Sequence, residues 1–493
     1  MGSMSKVEFK SKLSLFDVTN LVVGAIIGAD IYVASAFGAK YLGPFSLVVW
    51  ALAGFIAIVI ALCFAQAAAL LPKVGGPYAY AKEAWGPFAG FLVGWSLWLA
   101  EWVSLAVFPV AFTQYLMFFL PNIDPIFQIV VKGLFIAFLV TTNVFGVRAA
   151  GKTNDVLTVA KLAPLVLFSV IGLFYIVLHP GQAAGNFTPF LPLGLGNFGI
   201  TLVLVFWAYA GFEISTIPAE ETKDPSRTIP KAIVLGISIV TIFYLVTNSV
   251  LFGVMPTDQL AVSSTPLPTA TGTALASLPI LALIVGIIVG GGALISVAGS
   301  DESGMIGTSR LGYALAVDGL FPRIFAKIHP RFKTPYLGII VTAVAAFVAA
   351  NADMSMLIAV SVFLLAVSYF ATSASIFFLR RKGLKALFHL RGGSFVPILG
   401  TIFSLLLITQ CTITQIVLGL VLLAVGVPIY VKFSPKKEIA DLKEELISRE
   451  SRLRKAYDQE QVLLAHVLHH IKNFYRRVTR KKQIAGENRQ TSC

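Results

Sequence analysis

Long apolar runs recur along this chain, from near its N-terminus to about residue 433. The chain has 493 residues, of which 57% are hydrophobic and 13% are charged. A soluble domain cannot bury that much apolar surface, because single cores stop growing beyond about 250–300 residues. A run of about 20 apolar residues can instead cross a bilayer as a helix, whose backbone polar groups bond to one another. We therefore predict an all-α membrane protein with about 12 transmembrane helices. The predicted spans are 14–38, 43–71, 86–119, 126–146, 155–178, 197–219, 229–254, 277–308, 336–351, 355–379, 396–411 and 413–433.

The positive charges of the chain follow the predicted spans. Lysine and arginine gather in alternate loops, such as 223–231, 323–333 and 380–391, and in the segment after residue 433. Cytoplasmic loops of membrane proteins carry this excess, so we predict a multi-pass protein of the cell (plasma) membrane with both termini in the cytoplasm. The same loops account for the net charge of +14, so no nucleic-acid partner is expected.

Residues that could hold a metal or do covalent chemistry form no useful pattern. Cys63 and Cys411 lie inside apolar runs and Cys493 ends the chain, so no disulfide framework is expected. No histidine pair has metal-ligand spacing within a span, and no nucleophile–base pair or channel filter is visible in the sequence. We therefore predict a protein that is not an enzyme or a channel and that uses no cofactor and no metal.

Two spans carry glycine and an acid where a helix should run straight. The first contains GAIIGAD, from Gly24 to Asp30, and the sixth contains FWAYAGFE, from Phe206 to Glu213. Paired broken helices at corresponding positions of two halves indicate a transporter site near the bilayer midplane. Spans one and six are the places that an inverted repeat of five plus five helices would give them.

Three further segments follow one another along the chain: PKVGGPYAYAKEAWGPFAGFLVGW at 72–95, AEETKDPSRTIPKAI at 219–233 and TSRLGYALAVDGLFP at 308–322. With them, roughly residues 10–435 resemble the amino acid–polyamine–organocation (APC) transporter superfamily. The resemblance implies a LeuT-like core with broken helices 1 and 6, and alternating access without ATP. The expected parts are a cytosolic leader at 1–12, a first repeat at 13–178, a second repeat at 197–381, two more helices at 395–434 and a basic helical tail at 435–493. We expect this cytosolic tail to be solvated or to lie on anionic membrane lipid, rather than to regulate or to form a coiled coil.

The resemblance also implies a binding pocket. A Gly-Ser-Gly stretch in helix one of the family, whose backbone amides hold a substrate carboxylate, reads Gly28-Ala29-Asp30 here, which is a departure. Trp207 resembles the aromatic gate of the family, and Glu213 resembles a proton-sensitive glutamate of arginine/agmatine exchangers. The expected substrate-binding residues are Ile26, Gly28, Ala29, Asp30, Ala100, Glu101, Trp207, Ala210 and Gly211.

Ionisable side chains inside spans are functional candidates, because a charge near the bilayer centre is costly. Lys161 matches a lysine that takes the place of a bound sodium ion in proton-dependent relatives, so Lys161 and Glu213 are the expected proton-coupling residues. Structural readings remain open for several of these groups, such as snorkelling of Lys161 to the interface or a hydrogen-bonded network around Arg310. The acids predicted inside spans are Asp30, Glu101, Glu213, Asp301 and Glu302, the last two as support for the pocket.

An excess of acid over base in one cavity favours a cationic substrate, protons or both. Asp30 would also repel a substrate carboxylate unless it is protonated. We therefore predict a secondary active transporter of amino acids, with cationic ones favoured, that is coupled to protons. The alternatives are a polyamine or amine transporter and an obligate amino acid/amine exchanger.

Overall fold

The computed structural model describes residues 14–28, 30–71, 75–145, 151–213, 222–387 and 392–435 of the chain. These residues form helices and connecting turns, and none of them lies in a β-strand. The predicted leader at 1–12 lies outside the described residues, as does the predicted tail beyond residue 435.

Eighteen α-helices make up this part of the chain. The first nine are α1 (Leu15–Ile26), α2 (Asp30–Leu42), α3 (Ser46–Leu70), α4 (Pro77–Trp85), α5 (Pro87–Leu105), α6 (Val107–Phe119), α7 (Pro125–Phe145), α8 (Gly151–Leu178) and α9 (Pro180–Asn186). The others are α10 (Phe198–Phe206), α11 (Pro225–Val254), α12 (Thr257–Val262), α13 (Pro266–Ala274), α14 (Pro279–Val317), α15 (Tyr336–Ala349), α16 (Met354–Arg381), α17 (Phe395–Gln410) and α18 (Ile413–Phe433). Single 3₁₀ turns occur at Gly43–Phe45, Trp207–Tyr209 and Arg323–Ala326.

Every predicted apolar run contains most of one helix or of two consecutive helices. Among the described residues, seven helical stretches are long and apolar enough to cross a membrane, or up to eight if the bent pair formed by α8 and α9 is one span. In α16, 78% of the most apolar stretch is buried, whereas in α18 the figure is 17%. α16 therefore lies inside the helix assembly, and the bare apolar side of α18 is suited to contact with lipid.

α14 differs from its predicted span at its C-terminal end, because it continues to Val317 rather than stopping near residue 308. No proline interrupts this segment, so the helix can continue beyond the apolar run. Gly319 follows the end of the helix, and its φ of +77° turns the chain so that the Leu320 N–H bonds back to the carbonyl of Leu315, while the Gly319 N–H bonds to that of Ala316.

The first span is broken where the sequence predicts it. Ser14 and Asp17 form a capping box that starts α1, with the Ser14 N–H donating to Asp17 Oδ2 at 2.8 Å. α1 ends at Ile26 and α2 begins at Asp30. Among the backbone groups freed by this break, the carbonyls of Ile27 and Gly28 accept hydrogen bonds from two serines of α14, Ser300 (3.5 Å) and Ser296 (3.4 Å). The protein thus supplies partners that lipid cannot supply.

The second break follows α10 and touches the first. After the 3₁₀ turn, Gly211 has φ of +120° and packs so closely on α1 that an added Cβ would lie 2.3 Å from the carbonyl oxygen of Ala25. The hydroxyl of Tyr244, on α11, lies within hydrogen-bonding distance of Ile26 O (3.4 Å) and Ala208 O (3.2 Å), one in each broken span. The two breaks therefore form one structural unit with α11.

Polar contacts join the short helix α4 to the ends of α14 and α16. Lys82 Nζ lies 3.2 Å from Asp318 Oδ2, and the hydroxyl of Tyr78 donates to the same carboxylate. Lys382 Nζ lies 3.5 Å from Glu83 Oε1 and also donates to the Glu83 carbonyl. Exposed ion pairs of this kind add only about 0–1 kcal/mol each to the stability of the fold, so we assign them the role of positioning α4.

Gly211→Ala should destabilise the protein, because the new Cβ would meet the Ala25 carbonyl and the backbone conformation at 211 suits glycine alone. Strained backbone of this kind costs on the order of 1–3 kcal/mol. We expect a lower Tm for the purified protein in detergent. Gly272→Ala is the matched control, since a Cβ there meets nothing within 4 Å, and its Tm should stay the same or rise, because alanine favours a helix more than glycine does. An equal Tm for the two variants would mean that the breaks do not pack in this way.

Candidate functional site

A cavity of about 240 Å³ lies where the two broken spans meet. Its walls come from α1 and α2, from the segment after α10, and from α5, α6, α14 and α16. Ligand pockets for drug-sized molecules measure about 300–1,000 Å³, so this cavity suits a small solute.

Most of the predicted binding residues line this one cavity. Ile26 and Gly28 are buried in the first break but are not among its lining residues, and Ala29 lies outside the described residues. The predicted residues that line the cavity are Asp30, Ala100, Glu101, Trp207, Ala210, Gly211 and Glu213.

The other predicted residues lie elsewhere. Lys161 lies in α8, and its side chain is outside the described part of the structure. Asp301 is buried in α14 next to Ser300, yet neither Asp301 nor Glu302 is among the lining residues. The direction of their side chains on α14 separates them from Ser300, which does line the cavity.

Three acids share the cavity, and they are held differently. Asp30 begins α2, where the free N–H groups of a helix N-terminus favour negative charge. Glu213 Oε2 accepts a hydrogen bond from the N–H of Gly211 at 3.0 Å, which ties this carboxylate to the second break. Glu101 Oε1 is buried and finds no hydrogen-bond partner among the described residues. Since a buried polar atom without a partner is costly, Glu101 is the acid best placed to bind a donor in the cavity.

Trp207 closes part of the cavity wall and is only 1% exposed. Its indole Nε1 donates a hydrogen bond to Ser104 Oγ at 2.9 Å, and its ring lies 6.0 Å from that of Phe108, centroid to centroid. Ser104 and Phe108 also line the cavity, and the sequence analysis missed them. Ser104 on α5 and Phe108 at the start of α6 follow Glu101 by three and seven residues, a helical spacing that could have identified them.

Buried aromatic side chains pack around α2 and the second break, and they do not line the cavity itself. We call Tyr32, Trp50, Tyr115, Tyr209 and Tyr244 the aromatic cluster; all five are fully buried. The rings of Trp50 and Tyr244 are 5.2 Å apart, those of Tyr209 and Tyr244 5.4 Å, and those of Tyr32 and Tyr115 5.7 Å, centroid to centroid.

The opposite side of the cavity is less tightly packed. Leu21, Gly24 and Ala25 of α1 line the cavity there, and Ala25 is exposed. The cavity is therefore closed along α2 and accessible along α1.

The chemistry of the cavity wall is that of a binding site. It combines apolar and aromatic side chains with three carboxyl groups and the hydroxyls of Ser104, Ser300 and Ser361. No group of three or more His, Cys, Asp or Glu side chains that could hold a metal ion occurs within the described residues.

Comparison with known proteins identifies relatives that are membrane transporters. A sequence model described as amino acid permease matches residues 13–431. The branched-chain amino acid permease BcaP of Bacillus subtilis is 27% identical over 450 residues, which are 87% of this chain and 94% of that protein. The methylthioribose transporter of the same organism is 28% identical over 68% of this chain and 75% of its own length. Its serine/threonine exchanger SteT is 26% identical over 87% of this chain and 98% of its own length.

The match extends through both broken spans and all the helices that wall the cavity, from α1 to α16. It confirms the resemblance on which the predicted pocket was built. The chain belongs to the amino acid permease family, within the amino acid–polyamine–organocation superfamily, and is a multi-pass membrane transporter.

Proposed function

We propose that this protein carries amino acids across the cell membrane by alternating access, with cationic amino acids favoured and protons coupled to uptake. The observation that carries the proposal is the acidic cavity at the point where two broken spans touch. Its wall holds Asp30, Glu101 and Glu213, and no lysine or arginine is among the described residues that line it. A ligand with a positive charge would satisfy carboxylates that otherwise repel one another.

Helix one would hold the backbone of the substrate. α2 begins at the break and the N-terminus of a helix attracts negative charge, but Asp30 already brings a negative charge to it. A substrate amine would therefore be bound near Asp30, and a substrate carboxylate would need Asp30 to be protonated. This is also the reason to retain a polyamine or amine as the alternative substrate.

The transport cycle would use the two breaks as moving parts. In the proposed twelve-helix arrangement, two inverted repeats at 13–178 and 197–381 each contribute one broken span, and 395–434 adds two helices. Closure along α1 and opening along α2 would then expose the same cavity to the other side of the membrane. We place both termini in the cytoplasm and the basic tail in water or on anionic lipid.

A neutral amino acid is the second candidate substrate. The names of two relatives, the branched-chain permease and the serine/threonine exchanger, refer to neutral amino acids. The second of these names also supports obligate exchange as an alternative to proton symport.

The cavity can be tested at Trp207 in its wall and at Gly28 in the first break. Trp207→Ala would remove the indole that closes the cavity, and Gly28→Leu would place a side chain where even a Cβ lies 2.7 Å from Ser300 Oγ. We expect both variants to lose uptake of radiolabelled amino acids in proteoliposomes while remaining folded by size-exclusion chromatography. Normal uptake by both would mean that the site has been misplaced.

The substrate charge can be tested at Glu101. Glu101→Gln should weaken binding of arginine more than about tenfold and that of leucine much less, because removal of one partner from a buried charge pair costs about 2–5 kcal/mol. Isothermal titration calorimetry on the purified protein gives both affinities. Asp301→Asn is the matched control, a buried acid outside the cavity lining, and it should affect the two ligands equally. Equal effects of Glu101→Gln on the two ligands would favour the neutral candidate and assign Glu101 to structure.

The coupling ion can be tested at Lys161, which we propose takes the place of a sodium ion, with Glu213 as the second proton carrier. Uptake should then respond to an inward proton gradient, be indifferent to sodium, and lose its pH dependence in Lys161→Ala. Lys132→Ala is the control, because the Lys132 amine donates to the Ala350 carbonyl away from the cavity. A sodium requirement, or full-rate uptake with no gradient and only on counter-substrate, would contradict proton symport. The second result would identify an obligate exchanger.

A further inference from the structure

The hydrogen bond from Trp207 to Ser104 joins two different parts of the protein. Ser104 lies on α5, which packs against α14 and α16. Trp207 lies in the second break, whose residue Gly211 contacts α1 and whose residue Ala208 is bonded to Tyr244 of α11. The bond therefore connects the broken spans to the helices that surround them.

The indole N–H of Trp207 depends on this one contact. Ser104 Oγ is the acceptor that it finds among the described residues, at 2.9 Å, and the tryptophan side chain is almost fully removed from solvent. A buried donor that loses its acceptor keeps its full desolvation cost, whereas a donor exposed to water does not. Loss of Ser104 Oγ would thus destabilise the conformation in which the Trp207 indole is buried. It would not destabilise a conformation in which water hydrates that indole.

We propose that Ser104 is a positioning residue that holds Trp207 against the cavity and thereby stabilises the conformation closed along α2. The proposal deepens the proposed function, since it assumes that the cavity alternates between its two sides. When the cavity opens along α2, Trp207 moves away from α5 and its N–H exchanges the serine oxygen for water. Ser104 then sets the balance between the two conformations without binding the substrate's charge.

The balance can be measured by cysteine accessibility in proteoliposomes that contain the full chain. Ala25→Cys places a thiol on the exposed part of α1 in the cavity, in a background where the three native cysteines are replaced and the protein remains folded by size-exclusion chromatography. A hydrophilic maleimide present on both sides of the membrane reports how often the α1 side is open. Ser104→Ala should shift the equilibrium away from the conformation open along α1 about two- to tenfold, as expected for the loss of one net hydrogen bond, and so lower the modification rate by up to that factor. Ser104→Thr, which keeps the hydroxyl, should restore it.

Ser96→Ala is the matched control on the same helix. Ser96 Oγ donates to the Leu364 carbonyl at 2.8 Å, is fully buried, and joins α5 to α16 outside the cavity lining. Its loss should lower the Tm, and the modification rate at position 25 should stay at the starting value. Ser104→Ala should change that rate whether or not it changes the Tm.

A double-mutant cycle separates the hydrogen bond from packing. Trp207→Phe removes the N–H, so Ser104→Ala should have no further effect on the modification rate in that background. An unchanged rate in Ser104→Ala alone, or an equal effect in the Trp207→Phe background, would overturn the proposal. Absence of counterflow with any amino acid in the unmodified protein would contradict the proposed function instead. The two failures can be told apart, because the accessibility measurements do not require a known substrate.

Discussion

The region around the cavity depends on hydrogen bonds that neighbouring helices supply to the two broken spans. A break inside a bilayer frees backbone groups that lipid cannot satisfy. Here Tyr244 lies between a carbonyl of each break, and Ser296 and Ser300 donate to carbonyls of the first break. The cavity exists because these three side chains allow two helices to stop in the middle of the protein. Gly211 then lets the two interruptions approach to backbone contact.

The same arrangement determines how charge is distributed in the cavity. Glu213 is tied to the backbone of Gly211, and Asp30 lies at the start of α2, so both acids belong to the breaks themselves. Glu101 belongs to α5 and has a buried oxygen without a protein partner among the described residues. One acid on a surrounding helix thus faces two acids on the broken spans. Any movement of the breaks relative to α5 would change the separation of these charges.

Much of this could be predicted from sequence because glycine and an acid inside an apolar run are rare and have few physical explanations. GAIIGAD and FWAYAGFE predicted both breaks, and seven predicted residues line the cavity. Ser104 could have been found only from its helical spacing to Glu101, and the aromatic cluster could not be found, since tyrosine and tryptophan in an apolar run face lipid, core or cavity with equal ease. Asp301 shows the opposite limit. It is an acid inside a predicted span and it is buried, yet it does not line the cavity. The direction of its side chain from α14 keeps Asp301 out of the cavity lining.

The aromatic cluster also has a thermal consequence. Opening the cavity along α2 would bring water to the rings of Trp50, Tyr209 and Tyr244, which are now fully buried. Hydration of apolar surface carries a positive heat capacity, so the enthalpy difference between the two conformations would itself change with temperature. A van't Hoff plot of the equilibrium constant between the two conformations would then be curved rather than straight. The two faces of the cavity would differ in this respect, because the wall formed by Leu21 and Ala25 holds far less aromatic surface.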